Sequence, residues 1–169
     1  LGVSDKALAA MEGAKLPRTF FDFRDMLKSY AAGGYPYTPA VGLISGLAKA
    51  VEMLEDEGLE AVYARHARLA EGVRRAVAAW GMKPCAVSPE LYSDTVTAVV
   101  VPAGCNGTDL VKLAADKYGV AFGVGLGEVA GKVFRIGHLG MLTDVMVLAG
   151  LATAEMCMAD LGWPVKLGS

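Results

Sequence analysis

The apolar residues in the first half of the chain are spaced as they are in α-helices. Residues 4–15 are predicted to form a short helix with Ser4 as its N-cap. The segment 31–40, AAGGYPYTPA, is rich in glycine and proline and therefore predicts a loop. Apolar residues then recur every three or four positions, which predicts a second helix with Thr38 as N-cap and Pro39 at its first helical position.

The pattern changes after a third helix. Gly58 ends or breaks the second helix, and a third helical pattern runs from about Leu59 to Trp80. After Gly81, strand-like and helical runs follow one another in the order β-α-β-β-α. The predicted strands are 95–101, 120–124 and 133–139, and the predicted helices are 108–118, capped by Asn106 or Thr108, and one from Thr143 to about Leu161. This order predicts an α/β fold, in the form of an α+β domain whose helices cover one face of a small sheet.

The composition excludes several classes of protein. A length of 169 residues predicts one domain, or one domain and a piece of another. With 54% hydrophobic and 20% charged residues the chain is not disordered, and a net charge of −2 without a basic run argues against nucleic-acid binding. The longest uncharged run, between Lys28 and Lys49, contains prolines that exclude a spanning helix. We therefore expect a soluble, cytoplasmic protein. We expect no metal site, because the cysteines lie far from one another and from the histidines in sequence.

The segment GGYPYTPA is a candidate anion site. It brings Tyr35 and Thr38 to the start of a predicted helix, where unpaired N–H groups favour anions and above all phosphate. The alternative is an ordinary capped helix with tyrosines packed on their neighbours.

The segment GVGLGEVAGKVFRIGHLG is the second candidate. Its glycines do not match the dinucleotide-binding fingerprint, and they predict a loop in which backbone or substrate can approach closely. Arg135 lies in an otherwise apolar strand and needs an anionic partner, which could be an acid of the protein or a carboxylate of the substrate. His66 lies near the apolar face of its helix, which favours a structural role, and the arginines around it predict a solvated helix face.

These segments, with the closing ATAEMCMADLGWPVKLGS, resemble the class V pyridoxal-phosphate (PLP) aminotransferases, most of all the serine–glyoxylate group. The resemblance implies that the chain is the C-terminal portion of a fold-type I enzyme. Such an enzyme would act as a homodimer with its active site at the subunit interface. Residues 1–58 would be the tail of the large cofactor domain and the start of the connecting helices. Residues 59–169 would be the connecting helix and the small domain. The chain is expected to begin after the Schiff-base lysine, so neither Lys6 nor Lys15 takes that role and no catalytic residue is assigned.

The resemblance also implies a function for the two candidate sites. Tyr35 and Thr38 match residues that contact the cofactor phosphate of the neighbouring subunit, and Arg135 matches the residue that holds the substrate carboxylate. The reaction would be transamination in glyoxylate metabolism, from serine to glyoxylate, giving hydroxypyruvate and glycine, and the chain alone is expected to be inactive. The alternatives are alanine or another amino donor, or a stand-alone small-acid-binding α/β module without catalysis.

Overall fold

A computed structural model describes residues 1–166 and residue 168. The chain divides into two compact units, Leu1–Met53 and Leu54–Ser169. No helix in the described part of the chain is both long and apolar enough to cross a membrane.

The first unit contains two short helices and most of a longer one. Helix α1 spans Asp5–Glu12 and α2 spans Phe23–Ala31, whereas α3 begins at Val41 and ends at Glu57, beyond the boundary of the unit at Met53. Ser4 caps α1 as predicted, since its side chain accepts a hydrogen bond from the backbone N–H of Ala7. Helix α2 was not predicted, although Phe23, Met26, Leu27 and Tyr30 recur at helical spacing and the side chain of Asp22 caps the helix by accepting from the backbone N–H of Arg24.

The prediction that Thr38 caps α3 with Pro39 at its first position is wrong. The backbone N–H of Val41 donates to the carbonyl of Pro39 at 2.9 Å, which closes a three-residue turn ahead of the helix. The backbone N–H of Ile44 then bonds the carbonyl of Ala40 at 3.0 Å. Ala40 therefore takes the N-cap position, and the hydroxyl of Thr38 is not used in capping.

The second unit is a four-stranded antiparallel sheet with helices, which confirms the predicted fold class. The strands are β1 (Lys83–Pro84), β2 (Val96–Val100), β3 (Gly123–Val124) and β4 (Val133–Gly137), in the order β1-β2-β4-β3, and the helices are α4 (Leu59–Ala79), α5 (Gly107–Tyr118) and α6 (Asp144–Asp160). Asn106 caps α5 and Thr143 caps α6, as predicted. Strand β1 was missed and β3 is shorter than predicted, because both are two-residue strands at the edges of the sheet.

The core lies between one face of the sheet and the three helices. Phe134 and Ile136 of β4 and Val99 of β2 are buried on that face. They pack with buried residues of the helices, namely Leu69, Val73, Val77, Leu110, Ala114, Val147, Ala154, Cys157 and Met158. Because successive strand residues point to opposite faces, Arg135 lies on the face away from these helices.

Candidate functional site

Arg135 lies in the middle of the sheet, between two neighbouring strands. Its register partners are Ala98 on β2 and Gly123 on β3. The side chain is half-buried, and its Nε donates a hydrogen bond to the carbonyl of Val124 at 3.0 Å. No ion pair within residues 1–166 and 168 involves Arg135. The sequence left open whether Arg135 pairs with an acid of the protein or with a carboxylate of the substrate. The described residues of this chain supply no acid for it.

A cleft of about 130 Å³ adjoins Arg135. Its apolar walls come from β1, β2 and the segment that joins them, and its residues are Arg74, Pro84, Ala86, Leu91, Tyr92, Ser93, Val96, Thr97, Ala98 and Arg135. The cleft therefore combines small apolar surfaces with two guanidinium groups.

The second guanidinium of the cleft, that of Arg74, is already paired. Its Nη1 lies 3.4 Å from Oδ1 of Asp94, and its Nε lies 3.5 Å from Oε2 of Glu71. Its Cζ also lies 5.5 Å from the ring centroid of Tyr92. Within the described residues, Arg135 is thus the one arginine of this cleft without a carboxylate partner.

The glycine loop ahead of β4 is packed closely, as predicted for it. A Cβ added at Gly125 would overlap the carbonyl of Val129, and one added at Gly107 would overlap the carbonyl of Val133. The backbone N–H of Gly107 also bonds the carbonyl of Gly131 at 2.8 Å. These contacts fix the start of β4 and so the backbone that carries Arg135.

His138 follows β4 and is fully buried. Its Nε2 lies 2.8 Å from Oγ1 of Thr97, and its Nδ1 lies 3.1 Å from the carbonyl of Asp94. Burial disfavours the charged imidazole and lowers the pKa of His138 below its ordinary value, against the opposing effect of the Asp94 carbonyl. Since both ring nitrogens are occupied, His138 joins the ends of β2 and β4 and has no nitrogen left for catalysis.

His66 and Arg65 hold the loop that follows His138. Nδ1 of His66 bonds the carbonyl of Val62 at 2.7 Å, and its Nε2 accepts the backbone N–H of Gly140 at 3.2 Å. Arg65 donates to both carboxylate oxygens of Glu57 and to the carbonyl of Gly140, each at 2.7 Å. The paired guanidinium lowers the pKa of Glu57. His66 is structural in this arrangement, as expected.

The prediction that the arginines of α4 form a solvated face is wrong for two of them. The side chains of Arg65 and Arg74 are only 19% and 17% exposed, because each reaches across to a loop of the second unit. Arg75, which is 79% exposed, fits the prediction and pairs with Glu71 at i−4.

Tyr35 and Thr38 lie on the surface of the first unit. Tyr35 is 68% exposed, whereas its neighbour Tyr37 stacks on Phe20 with ring centroids 4.8 Å apart. Neither the phenol of Tyr35 nor the hydroxyl of Thr38 has a hydrogen bond to another described residue. Both groups are therefore available to an external ligand.

Comparison with individual known proteins assigns the chain to a family, although no protein-family profile matches it. The chain is 63% identical over 169 residues to an L-aspartate–glyoxylate aminotransferase of Paracoccus denitrificans, covering all of this chain and 43% of that protein. It is 51% identical over 171 residues to a serine–glyoxylate aminotransferase of Hyphomicrobium methylovorum, covering all of this chain and 42% of that protein.

A solved structure extends the similarity to the fold. The pyridoxamine–pyruvate aminotransferase of Mesorhizobium loti matches with a TM-score of 0.85 and 36% identity, over 99% of this chain and 44% of that one. The chain spans less than half the length of the relatives it matches. By sequence and by fold, it belongs to the class V aminotransferase family and corresponds to the C-terminal portion of its members.

Proposed function

We propose that the protein carrying this chain is a PLP-dependent aminotransferase that moves an amino group from an amino acid to glyoxylate. Two relatives at 63% and 51% identity bear glyoxylate aminotransferase names, which supports glyoxylate as the acceptor. The active form would be a homodimer with the active site at the interface, completed by the remaining part of the protein.

The observation that carries the proposal is the unpaired guanidinium of Arg135. Its Nε is held by the carbonyl of Val124, and its two Nη groups have no hydrogen-bond or ion-pair partner among the described residues. A planar guanidinium binds a carboxylate through two parallel hydrogen bonds. The amino donor and the 2-oxo acceptor both carry a carboxylate next to the reacting carbon. Arg135 would therefore hold each substrate in turn by the group that all substrates share.

Tyr35 and Thr38 fit the phosphate of PLP. Because Ala40 takes the N-cap position of α3, the Thr38 hydroxyl can donate to a phosphate without loss of a capping bond. The exposed phenol of Tyr35 can donate a second hydrogen bond to the same group. PLP, when bound, supplies an electron sink for the bond broken at the substrate Cα, while the protein binds and orients. The lysine that anchors it is not assigned to Lys6 or Lys15.

Serine is the proposed amino donor. Arg74, the other arginine of the cleft, is already paired with Asp94 and Glu71, so the cleft offers one free guanidinium for one carboxylate. Serine and glyoxylate each carry a single carboxylate. Aspartate is the second candidate, because the relative at 63% identity is an L-aspartate–glyoxylate aminotransferase. Its second carboxylate would then need a cation from outside this cleft.

Steady-state kinetics of the full-length protein tests the proposal. The protein is loaded with PLP, and kcat/KM is measured for serine, aspartate and alanine with glyoxylate as acceptor. We expect serine to give the highest value. A higher value for aspartate or alanine would replace the donor and keep the reaction class. Binding of glyoxylate without transfer from any donor would favour the acid-binding module and contradict the proposal.

A further inference from the structure

Gly123 lies directly across the sheet from Arg135. The two residues are register partners in the antiparallel pair of β3 and β4. Side chains at such positions stand side by side on one face of a sheet and share the same space. The residue at position 123 therefore determines how much room the arginine has.

The side chain of Arg135 crowds the space that a larger residue at position 123 would need, so such a residue would displace the arginine by a few tenths of an ångström. A Cβ added at Gly123 would lie 3.0 Å from Nε, 3.1 Å from Cβ and 3.3 Å from Cζ of Arg135. The backbone of Gly123 is not in the left-handed region, so its φ angle does not itself require glycine. Contact with the arginine, and not backbone conformation, is the constraint at this position.

The missing side chain lets Arg135 reach the next carbonyl along β3. Its Nε bonds the oxygen of Val124 at 3.0 Å. An arginine fixed in this way has lost much of its rotamer freedom on folding, so less remains to be lost when a ligand binds.

We propose that Gly123 is a positioning residue for Arg135: by having no side chain, it lets the arginine lie across β3, bond the Val124 carbonyl and offer its two Nη groups to a substrate carboxylate. This inference rests on the role of Arg135 given under the proposed function. Gly123 itself touches no substrate. Its effect passes through the arginine alone.

A double-mutant cycle in the PLP-loaded full-length protein tests this inference. The variants are Gly123→Ala, Arg135→Ala and the two combined. The control is Gly72→Ala, because a Cβ at Gly72 in α4 meets no atom within 4 Å. The measured quantities are kcat, KM for the amino donor, the inhibition constant of glycolate as a non-reacting carboxylate, and the thermal unfolding midpoint.

We expect Gly123→Ala to raise KM and the glycolate constant about tenfold, since a displaced guanidinium loses part of a charge-assisted pair. The value of kcat at saturating substrate should change far less. The double variant should match Arg135→Ala, because two residues that act through one contact are not additive. Gly72→Ala should match the wild type in kcat, KM and the glycolate constant, while its thermal unfolding midpoint should rise, because Ala is favoured over Gly in a helix.

The outcomes separate this inference from the proposed function. If Arg135→Ala raises both constants and Gly123→Ala does not, the inference is overturned and the proposed function stands. Fully additive effects also overturn it. If Arg135→Ala itself changes neither constant, the proposed role of Arg135 fails first. Should Gly123→Ala not fold, a crystal structure of the wild-type protein decides, because an Arg135 Nε beyond hydrogen-bond distance of the Val124 carbonyl overturns the inference.

Discussion

Replacement of Arg135 should weaken substrate binding strongly and leave the fold and the cofactor site in place. Arg135→Ala deletes a half-buried guanidinium whose one bond to a described residue is the contact of its Nε with the carbonyl of Val124. Loss of that bond costs about 0.5–1.5 kcal/mol of stability. Loss of a desolvated charge partner for the substrate carboxylate costs about 2–4 kcal/mol of binding. Since about 1.36 kcal/mol corresponds to a tenfold change in rate, kcat/KM should fall roughly 30- to 900-fold.

The assay measures kcat/KM for serine and the affinity for PLP in the full-length protein. Arg135→Lys keeps the charge but not the planar fork, so it should restore little activity. Arg75→Ala is the matched control, because Arg75 is 79% exposed and pairs only with Glu71 among the described residues. An unchanged kcat/KM in Arg135→Ala, or unfolding of the second unit with loss of all activity at once, would refute the reasoning.

Three further outcomes are expected. Thr38→Ala should weaken PLP binding in the full-length protein by about 1.5–3 kcal/mol without lowering the Tm of the PLP-free protein, since Thr38 is not the cap of α3; a lower Tm of the PLP-free protein with unchanged PLP affinity would contradict its assignment. Stability should fall as the pH drops below 6.5, the ordinary pKa of histidine, because burial lowers the pKa of His138 in the folded state and the unfolded chain takes up the proton first. Urea unfolding between pH 7.5 and 5.0 measures this slope, and a His138→Gln variant with the same slope would show that another group causes it. The 169-residue chain alone, supplied with PLP, serine and glyoxylate, should form no hydroxypyruvate, and measurable turnover would contradict this expectation.

The sequence predicted those elements that depend on local patterns. Helix α6 follows from Thr143 and an apolar run, and β4 follows from its β-branched and aromatic residues. Strand β1 could not be predicted, because two residues that include a proline carry no pattern and pair only with the edge of β2. The cap of α3 was misplaced because the turn at Pro39 shifts the first helical hydrogen bond to Ala40.

The candidate site could be predicted only in part, for a similar reason. Arg135 was identified because a charged residue interrupts an apolar strand. The importance of Gly123 depends on its register with Arg135, and the role of His138 depends on its contact with Thr97, 41 positions away. No local signal indicates either contact. The burial of Arg74 and Arg65 could not be predicted, because each also contacts a loop that is distant in sequence, at Asp94 and Gly140 respectively.

The most direct test is a crystal structure of the full-length, PLP-loaded protein with glycolate bound. Glycolate carries the carboxylate of glyoxylate but cannot accept the amino group. We predict that both of its carboxylate oxygens lie about 2.7–2.9 Å from the Nη atoms of Arg135, with Nε of Arg135 still bonded to Val124. A glycolate carboxylate bound elsewhere, with Arg135 paired to an acid of the protein, would contradict the account.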